Sequence, residues 1–315
     1  MPGIDIVAIG EPLFELNQAK GESVFRPGHG GDTSNCAIAA ARQGARVAYV
    51  TAIGADRFGE SFMDLWAAEQ VDTSAVKQSE TAHTGLYFVT HGKDGHVFSY
   101  MRAGSAASRM TADDLPTGMI KGARVLHASG ISQAISSSAA DAVFSAMRMA
   151  RAAGVLISYD TNLRLRLWPL DRARAVIHAA AGLADILRPG LDDAIHLTGL
   201  ADPDLIVDYY LGLGPKIVAL TLGEAGAIVA TPERRLRLPA IPAKVVDATG
   251  AGDMFDGAFL AEYLRTGDPF IAGRYANVAA ALSTEGYGAV APMPRRAAVE
   301  AALARLGTEN GNGRR

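Results

Sequence analysis

IDIVAIG, residues 4–10, is a short and almost wholly apolar run that ends in glycine. Runs of this kind are typical of strands buried on both faces of a parallel sheet. Similar runs recur at 47–53, 125–129, 155–159, 185–187 and 217–222. Stretches with apolar residues at helical spacing lie between them, at 34–43, 58–69, 137–153 and 172–181. This alternation predicts an α/β fold with a doubly wound, mostly parallel sheet.

Two segments depart from the alternation. Residues 13–16 form a further apolar run that follows the first strand almost at once, and residues 85–89 and 96–102 flank the turn sequence HGKDG. We predict a small β-sheet lid, over about 12–30 and 84–103, at one edge of a single domain that spans residues 1–306. The polar tail 307–315 is predicted to be disordered.

Composition excludes several classes of protein. The chain has 315 residues, is 49% hydrophobic and carries a net charge of −3, so it can bury a large core and offers no basic surface for nucleic acid or a membrane. A single cysteine, Cys36, excludes an internal disulfide and fits a reducing compartment. No apolar stretch approaches the length of a membrane span or resembles a secretory signal. We therefore expect a soluble, cytoplasmic protein.

Residues 246–255 read VDATGAGDMF and predict an anion-binding site. Apolar spacing downstream predicts a helix that begins at Gly252-Asp253. Free amides at a helix N-terminus stabilise negative charge, and a carboxylate beside them can accept a proton from an attacking hydroxyl. The alternative is that Asp253 only caps the helix and the glycines form a tight turn.

Residues 28–35 read GHGGDTSN and lead into the predicted helix at 34–43. The segment is either a flexible turn with Asp32 or Thr33 as the helix N-cap, or a polar pocket that allows close approach of a ligand. The chain has no Walker loop, and no Gly-x-Gly-x-x-Gly follows the first strand, which argues against an NAD enzyme.

The VDATGAGDMF segment resembles the signature of the ribokinase-like (PfkB) carbohydrate kinases, with Ala248 in place of the usual threonine. The resemblance runs from Ile6 to about Pro292. Within the family, the stretch DTNLRLRLW at 160–168 is most similar to the ketodeoxygluconate kinases. The resemblance implies a ribokinase-like fold, ATP and Mg2+ as cofactors, Asp253 as the catalytic base, and the amides of Gly250, Ala251 and Gly252 as ligands of the transferred phosphate.

The same resemblance implies two groups of binding residues. Those expected at the sugar are Gly31, Asp32, Asn35, Tyr87, Tyr100, Arg102 and Arg164. Those expected at the nucleotide are Thr221, Gly223, Gly226, Gly250, Gly252 and Asn277. One departure from the family pattern is Gly190, which stands where many members carry an asparagine. Asp193 takes the place of the accompanying glutamate, and we expect it to reach the metal through water.

Charge indicates the class of sugar. Arginine suits a carboxylate because its planar fork can bind both oxygens, and Arg102 and Arg164 fall where the family places its sugar pocket. Charge thus indicates a sugar acid, and the resemblance to the ketodeoxygluconate kinases implies ATP-dependent phosphorylation of 2-keto-3-deoxygluconate at its terminal 6-hydroxyl. A neutral-sugar kinase (fructokinase or ribokinase), an inactive sugar-acid-binding regulator and a nucleoside kinase remain alternatives. The stereochemistry of the sugar acid stays open. Exposed lid edges favour a homodimer or a larger assembly.

Overall fold

The structure is a computed structural model, and it describes residues 3–18, 23–92 and 95–312. Within these residues the chain forms two sheets. The strands are β1 (Ile6–Ile9), β2 (Leu13–Gln18), β3 (Phe25–Gly30), β4 (Val47–Gly54), β5 (Val76–Ser79), β6 (Gly85–Gly92), β7 (Gly95–Met101), β8 (Val125–Ser129), β9 (Leu156–Asp160), β10 (Ile186–Arg188), β11 (Ile217–Thr221), β12 (Ala227–Ala230) and β13 (Arg235–Leu238).

Helices cover both faces of the larger sheet. They are α1 (Asp32–Arg42), α2 (Arg57–Ala68), α3 (Thr117–Gly122), α4 (Gly130–Ala134), α5 (Ser137–Ala152), α6 (Leu170–Ala181), α7 (Leu191–Thr198), α8 (Pro203–Gly212), α9 (Ala251–Thr266), α10 (Pro269–Ser283) and α11 (Arg296–Asn312). One apolar core lies between the sheet and α1, α2 and α9 to α11, and a second core lies between the opposite face and α3 to α8. Two cores on one sheet are what the predicted doubly wound fold requires.

The larger sheet has the strand order β13-β12-β11-β10-β9-β8-β1-β4-β5. Every pair is parallel from β5 through to β11, and only the β11–β12 and β12–β13 pairs are antiparallel. The chain moves from β1 to β4 on one side and later resumes at β8 on the other side of β1. Ligands of open α/β sheets bind outside the carboxyl ends of the strands at such a reversal. The fold therefore locates the site beyond the end of β1.

The smaller sheet is the predicted lid and has the order β3-β2-β6-β7. The β6–β7 hairpin was correctly placed, although Lys93 and Asp94 of its turn lie outside the described residues. Phe98 and Met101 of the edge strand β7 are exposed. The dimer or larger assembly expected from the lid edges stays a prediction.

The C-terminal prediction differs from the structure. Helix α11 extends to Asn312, so residues 307–312 are helical where a disordered tail was expected, and 313–315 lie outside the described residues. The helix begins at Arg296, passes through the alanine-rich run at 297–304 and continues to Asn312. The glycines and polar residues after position 306 gave no sign of this continuation. In the described part of the chain, no helix combines the length and apolar character that crossing a membrane demands.

Candidate active site

The first turn of α9 presents backbone amides that no side chain caps. Gly250 is the N-cap residue in a left-handed conformation, with φ of 76°, so α9 begins at Ala251, one residue earlier than the start predicted from sequence. Glycine is required there, because a Cβ would also lie 2.8 Å from the carbonyl oxygen of Ala289. Within the described residues the amides of Gly252 and Asp253 have no hydrogen-bond acceptor. The amide of Ala251, expected at the phosphate, instead donates to the carbonyl of Ala248 at 3.2 Å.

Asp247 holds the loop that leads into α9. Its carboxylate accepts hydrogen bonds from the amide of Thr249 at 2.9 Å, the hydroxyl of Thr249 at 2.6 Å and the amide of Gly288 at 3.0 Å. The loop is thus fixed by a side chain of its own motif. The amides of the helix start are left for an anion.

Asp253 is brought to α1 by a close crossing of two helices. A Cβ on Gly257, one turn along α9, would lie 2.5 Å from the Cβ of Ala39 and 2.6 Å from the carbonyl of Cys36. The absence of a side chain at 257 allows the backbones to approach. The side-chain amide of Asn35 consequently donates to Asp253 at 2.8 Å. The structure therefore joins two residues that lie 218 positions apart in the sequence and were both predicted for the site.

The environment of Asp253 suits a general base. Burial raises the pKa of its carboxyl to about 7, and the nearby Asp32 carboxylate acts in the same direction, while the Asn35 hydrogen bond opposes them. A base with a pKa near neutrality combines a useful ionised fraction with a strong tendency to take a proton. Asp253 stands in the third position of the helix and is not its cap, which argues against the purely structural alternative.

Asn162 connects the sugar-side motifs. Its side-chain amide donates to Asp32 at 2.8 Å, and its backbone amide donates to Asp160 at 3.0 Å. Its φ of 27° is positive, which is uncommon for a residue other than glycine. Gly31 is the N-cap of α1 and has no side-chain cap hydrogen bond, so neither Asp32 nor Thr33 caps this helix. The GHGGDTSN and DTNLRLRLW segments thereby meet through Asp32 and Asn162.

The lid residues are brought together but already have partners. Tyr87 and Tyr100 stack with centroids 5.8 Å apart, and the Tyr87 hydroxyl donates to Glu15. Arg102 donates to the buried carboxylate of Glu11 through Nε at 2.8 Å and also through Nη2. This predicted sugar-side arginine is thus paired with Glu11, and only its Nη1 lacks an acceptor within the described residues. Its contact with the sugar stays a prediction. Glu11 lies between β1 and the lid, and the sequence offered no sign of its pairing.

Arg164 is the more available cation. Its side chain is 52% exposed, and its Nη1 lies 3.8 Å from Asp193. Asp193 also accepts a hydrogen bond from the amide of Leu163 at 2.9 Å, and burial raises the pKa of its carboxyl. Asp193 thus adjoins the segment that carries Arg164. Its predicted contact with a metal through water stays a prediction.

Of the residues predicted for the nucleotide, Gly250 and Gly252 lie at the start of α9, and the other four lie around the ends of β11 and β13. Thr221 ends β11, and Gly223 is exposed in the turn that follows. Gly226, with φ of 98°, packs against the backbone of Leu238 and Pro239, and Asn277 donates to the Pro239 carbonyl at 2.8 Å. Gly226 and Asn277 therefore both have local structural roles. Their contact with a nucleotide stays a prediction.

A buried arginine was missed by the sequence analysis. Arg188 ends β10 and donates to Asp256 at 2.9 and 2.8 Å and also to Asp160. Burial opposes its charge, but the two carboxylates raise the pKa of Arg188 above its ordinary value. Burial raises the pKa of the Asp160 carboxyl, and Arg188 opposes that shift. The only signal in the sequence was a cation directly after a buried strand.

Comparison with other proteins identifies close relatives along most of the chain. A 2-dehydro-3-deoxygluconokinase from Thermoproteus tenax is 35% identical over 308 residues, which cover 93% of each protein. A second, from Bacillus subtilis, is 37% identical over 262 residues, which cover 80% of this chain and 81% of that protein. A probable fructokinase-7 from Arabidopsis thaliana is 30% identical over 316 residues, which cover 94% of this chain and 91% of that protein.

Solved structures show the same fold. A PfkB protein from a Polaromonas species superposes with a TM-score of 0.86 at 31% identity, over 95% of this chain and 100% of that one. A putative ribokinase II from E. coli, solved in complex with ATP and Mg2+, gives a TM-score of 0.88 at 26% identity, over 96% of this chain and 99% of that one. The predicted ribokinase-like fold is confirmed. Because residues 4–296 also match the pfkB family of carbohydrate kinases, the chain belongs to that family.

Proposed function

We propose that this carbohydrate kinase uses ATP to phosphorylate 2-keto-3-deoxygluconate at its terminal hydroxyl, giving the 6-phosphate and ADP. The observation that carries the proposal is the uncapped first turn of α9 beside the carboxylate of Asp253. Free amides for an anion and a carboxylate for a hydroxyl proton are the two requirements of phosphoryl transfer to an alcohol. The relatives named as 2-dehydro-3-deoxygluconokinases support the choice of substrate.

The mechanism follows from the positions of these groups. Asp253 takes the proton of the sugar's terminal hydroxyl as that oxygen attacks the γ-phosphorus of ATP. The bond between the γ-phosphorus and the bridging oxygen breaks, and ADP leaves with the bond electrons. The amides of Gly252 and Asp253 donate to the transferred phosphoryl group and stabilise its charge. Loss of the base is expected to lower the rate by about 10²–10⁴-fold.

The sugar acid requires a cation, and two arginines can supply one. Arg164 extends from the loop after β9 with half of its side chain exposed. Arg102 retains Nη1 as a donor, since Glu11 takes Nε and Nη2. A hydrogen bond to a charged group contributes about 1.5–3 kcal/mol. Two such contacts would separate a sugar acid from a neutral sugar by orders of magnitude.

The buried oxygen of Asn35 provides a further polar contact for a sugar. Its Oδ1 has no hydrogen-bond partner in the described part of the chain, while its Nδ2 is fixed on Asp253. Buried acceptors are normally paired. A sugar hydroxyl beside Asp253 would supply the missing donor.

Magnesium is expected to arrive with the nucleotide. Among the described residues there is no cluster of three or more acidic, histidine or cysteine side chains that could hold a metal ion. Mg2+ commonly keeps its waters and binds through substrate phosphates and one or two carboxylates. Asp193 would be the carboxylate, and the ion would neutralise phosphate charge.

Fructose is the second candidate substrate. Three fructokinase relatives are 30–33% identical to this chain. In addition, the ion pair with Glu11 neutralises the charge of Arg102. Arg164 in turn lies 3.8 Å from Asp193. A pocket in which both arginines have a carboxylate partner would distinguish an acid from a neutral sugar less strongly.

A panel of sugars separates these possibilities. ADP release is measured with 2-keto-3-deoxygluconate, 2-keto-3-deoxygalactonate, fructose and ribose at saturating MgATP. The proposal expects the highest kcat/KM with one of the two ketodeoxy acids. A higher value with fructose or ribose would reject the sugar-acid assignment but keep the kinase. The absence of turnover with every sugar would support a regulator.

A further inference from the structure

Arg188 has one donor group without an acceptor. The residue is only 8% exposed at the carboxyl end of β10. Its Nε and Nη2 are occupied by Asp256 and Asp160, whereas Nη1 has no hydrogen-bond partner in the part of the chain that the structure describes. Nη1 is not among the fully buried side-chain nitrogens that lack a partner, so it keeps some contact with solvent. One donor of this arginine is therefore available to a ligand.

The available donor Nη1 lies close to the start of α9. A Cβ added to Gly252 would lie 3.2 Å from Nη1 and 3.3 Å from Nη2, so the guanidinium sits directly against the first turn of α9. The N-terminal end of a helix carries partial positive charge, and a cation placed there is electrostatically unfavourable. The free amides of Gly252 and Asp253 belong to that same turn. An anion bound there would offset this unfavourable charge and would accept a hydrogen bond from Nη1.

We propose that Arg188 is a further catalytic residue, whose Nη1 donates to the phosphoryl group during its transfer and completes the anion site formed by the amides of α9. The inference rests on the proposed kinase reaction but not on the identity of the sugar. Arg188 stays protonated throughout, so it supplies charge and a hydrogen bond while Asp253 alone moves the proton. Its pairing with Asp160 and Asp256 fixes the guanidinium in place before the phosphate arrives.

The alternative is that Arg188 only neutralises two buried carboxylates. Arg42 shows what such a structural arginine looks like in the same molecule. Its side chain is 11% exposed, close to the 10% of Arg188. Its Nε and Nη2 donate to Glu69, and its Nη1 donates to the carbonyls of Val290 and Met293 at 2.8 and 2.7 Å. All three nitrogens of Arg42 are used, whereas Nη1 of Arg188 has no acceptor among the described residues and lies beside the start of α9.

The test compares three variants. Arg188→Met removes the cation but strands two buried carboxylates. The triple variant Arg188→Met with Asp160→Asn and Asp256→Asn removes the cation and the stranded charge together. The Asp160→Asn substitution retains a side-chain oxygen that can accept from the amide of Asn162. Arg42→Met is the matched control, because it removes an arginine of equal burial away from the site.

Two measurements are made with whichever sugar the wild type phosphorylates fastest. The first is kcat and the sugar KM. The second is the affinity for ADP with and without aluminium fluoride, which mimics the phosphoryl group in transfer, by titration calorimetry. For the single and triple variants the proposal expects kcat to fall by about 10²–10³-fold, as when one donor of an oxyanion site is lost. KM and ADP affinity should change by less than about threefold, while the gain from aluminium fluoride falls by at least about tenfold.

The outcomes separate the two explanations. Wild-type kcat and fluoroaluminate affinity in the triple variant would overturn the proposal, because charge balance alone would then be sufficient. If Arg188→Met does not fold, the triple variant decides alone. Arg42→Met should lose stability and keep the kcat of the folded enzyme. A similar loss of kcat in Arg42→Met would also count against a specific role for Arg188. Failure of the sugar acids as substrates would reject the proposed function and leave this test intact.

Discussion

The residues proposed for the phosphate and those proposed for the sugar differ in their burial. At the phosphate end, Asp253 and Arg188 are held by partners from distant parts of the chain, and the amides belong to the backbone of a helix in the core. At the sugar end, the side chain of Arg164 is 52% exposed, and Tyr100 is 44% exposed on the lid. Phosphoryl transfer is common to the whole family, whereas the sugar differs among the relatives. Under the proposed function, the difference teaches that the chemistry is carried by buried, paired residues and the specificity by more exposed ones.

The largest effect is expected at the phosphate end. Asp253→Asn removes the proton acceptor but keeps the size of the side chain and an oxygen that can still accept from Asn35. We expect kcat to fall by about 10²–10⁴-fold, with ATP affinity almost unchanged. ADP release and nucleotide titration measure the two quantities. Turnover equal to the wild type would show that another group accepts the proton.

The lid arginine should matter for stability as well as for binding. Arg102→Ala leaves the carboxylate of Glu11 buried without its cation, and breaking a buried ion pair costs about 3–5 kcal/mol. Urea unfolding should show a loss of this size, whereas Arg164→Ala should leave the free energy of unfolding within about 0.5 kcal/mol of the wild type. Equal stability of the two variants would mean that the pairing with Glu11 adds nothing to the fold.

The pH dependence tests the environment of Asp253. The carboxyl must be ionised to accept a proton, and its pKa is raised to about 7, so kcat/KM should rise with pH through that value. Two pH units below it, the rate should be about 100-fold lower, since one proton is involved. Asp32→Asn should move this rise in kcat/KM to lower pH, because Asp32 raises the pKa of Asp253. Asn35→Ala should move it to higher pH, because the hydrogen bond from Asn35 lowers that pKa. Shifts in the opposite directions would contradict the described arrangement.

The smallest effect is expected at the exposed end. Arg164→Ala removes one charge-assisted contact, which is equivalent to an increase of about 10–100-fold in KM for the sugar acid. The KM for fructose, if fructose is turned over at all, should not change. Arg166→Ala, two residues away on the same loop, is the matched control. Equal effects on the acid and the neutral sugar would show that Arg164 does not bind the carboxylate.

Much of the fold was accessible from the sequence because its strands are buried on both faces. The run at 4–10 contains β1, and the turn signal in HGKDG correctly separated β6 from β7. A chain in which continuous apolar runs alternate with helical stretches can adopt few folds other than a parallel α/β sheet. The tail at 307–312 could not be predicted, since its glycines and polar residues resemble a disordered terminus.

The site was accessible only where a motif is contiguous. VDATGAGDMF contains Asp253 and its amides within ten residues, so the sequence alone indicated them. Arg188 and Glu11 could not be found in this way, because their partners lie 68, 28 and 91 residues away and pairing depends on tertiary structure. The sequence indicated Arg102 as a candidate sugar-binding residue, but it could not show that a buried carboxylate would pair with it.

The most direct test is a crystal structure of the wild-type protein with 2-keto-3-deoxygluconate and a non-hydrolysable ATP analogue. We predict the carboxylate of Asp253 within about 2.6–3.2 Å of the sugar's terminal hydroxyl. The γ-phosphate should lie on the amides of Gly252 and Asp253. A terminal hydroxyl out of hydrogen-bond reach of Asp253, or a γ-phosphate away from the start of α9, would contradict the account.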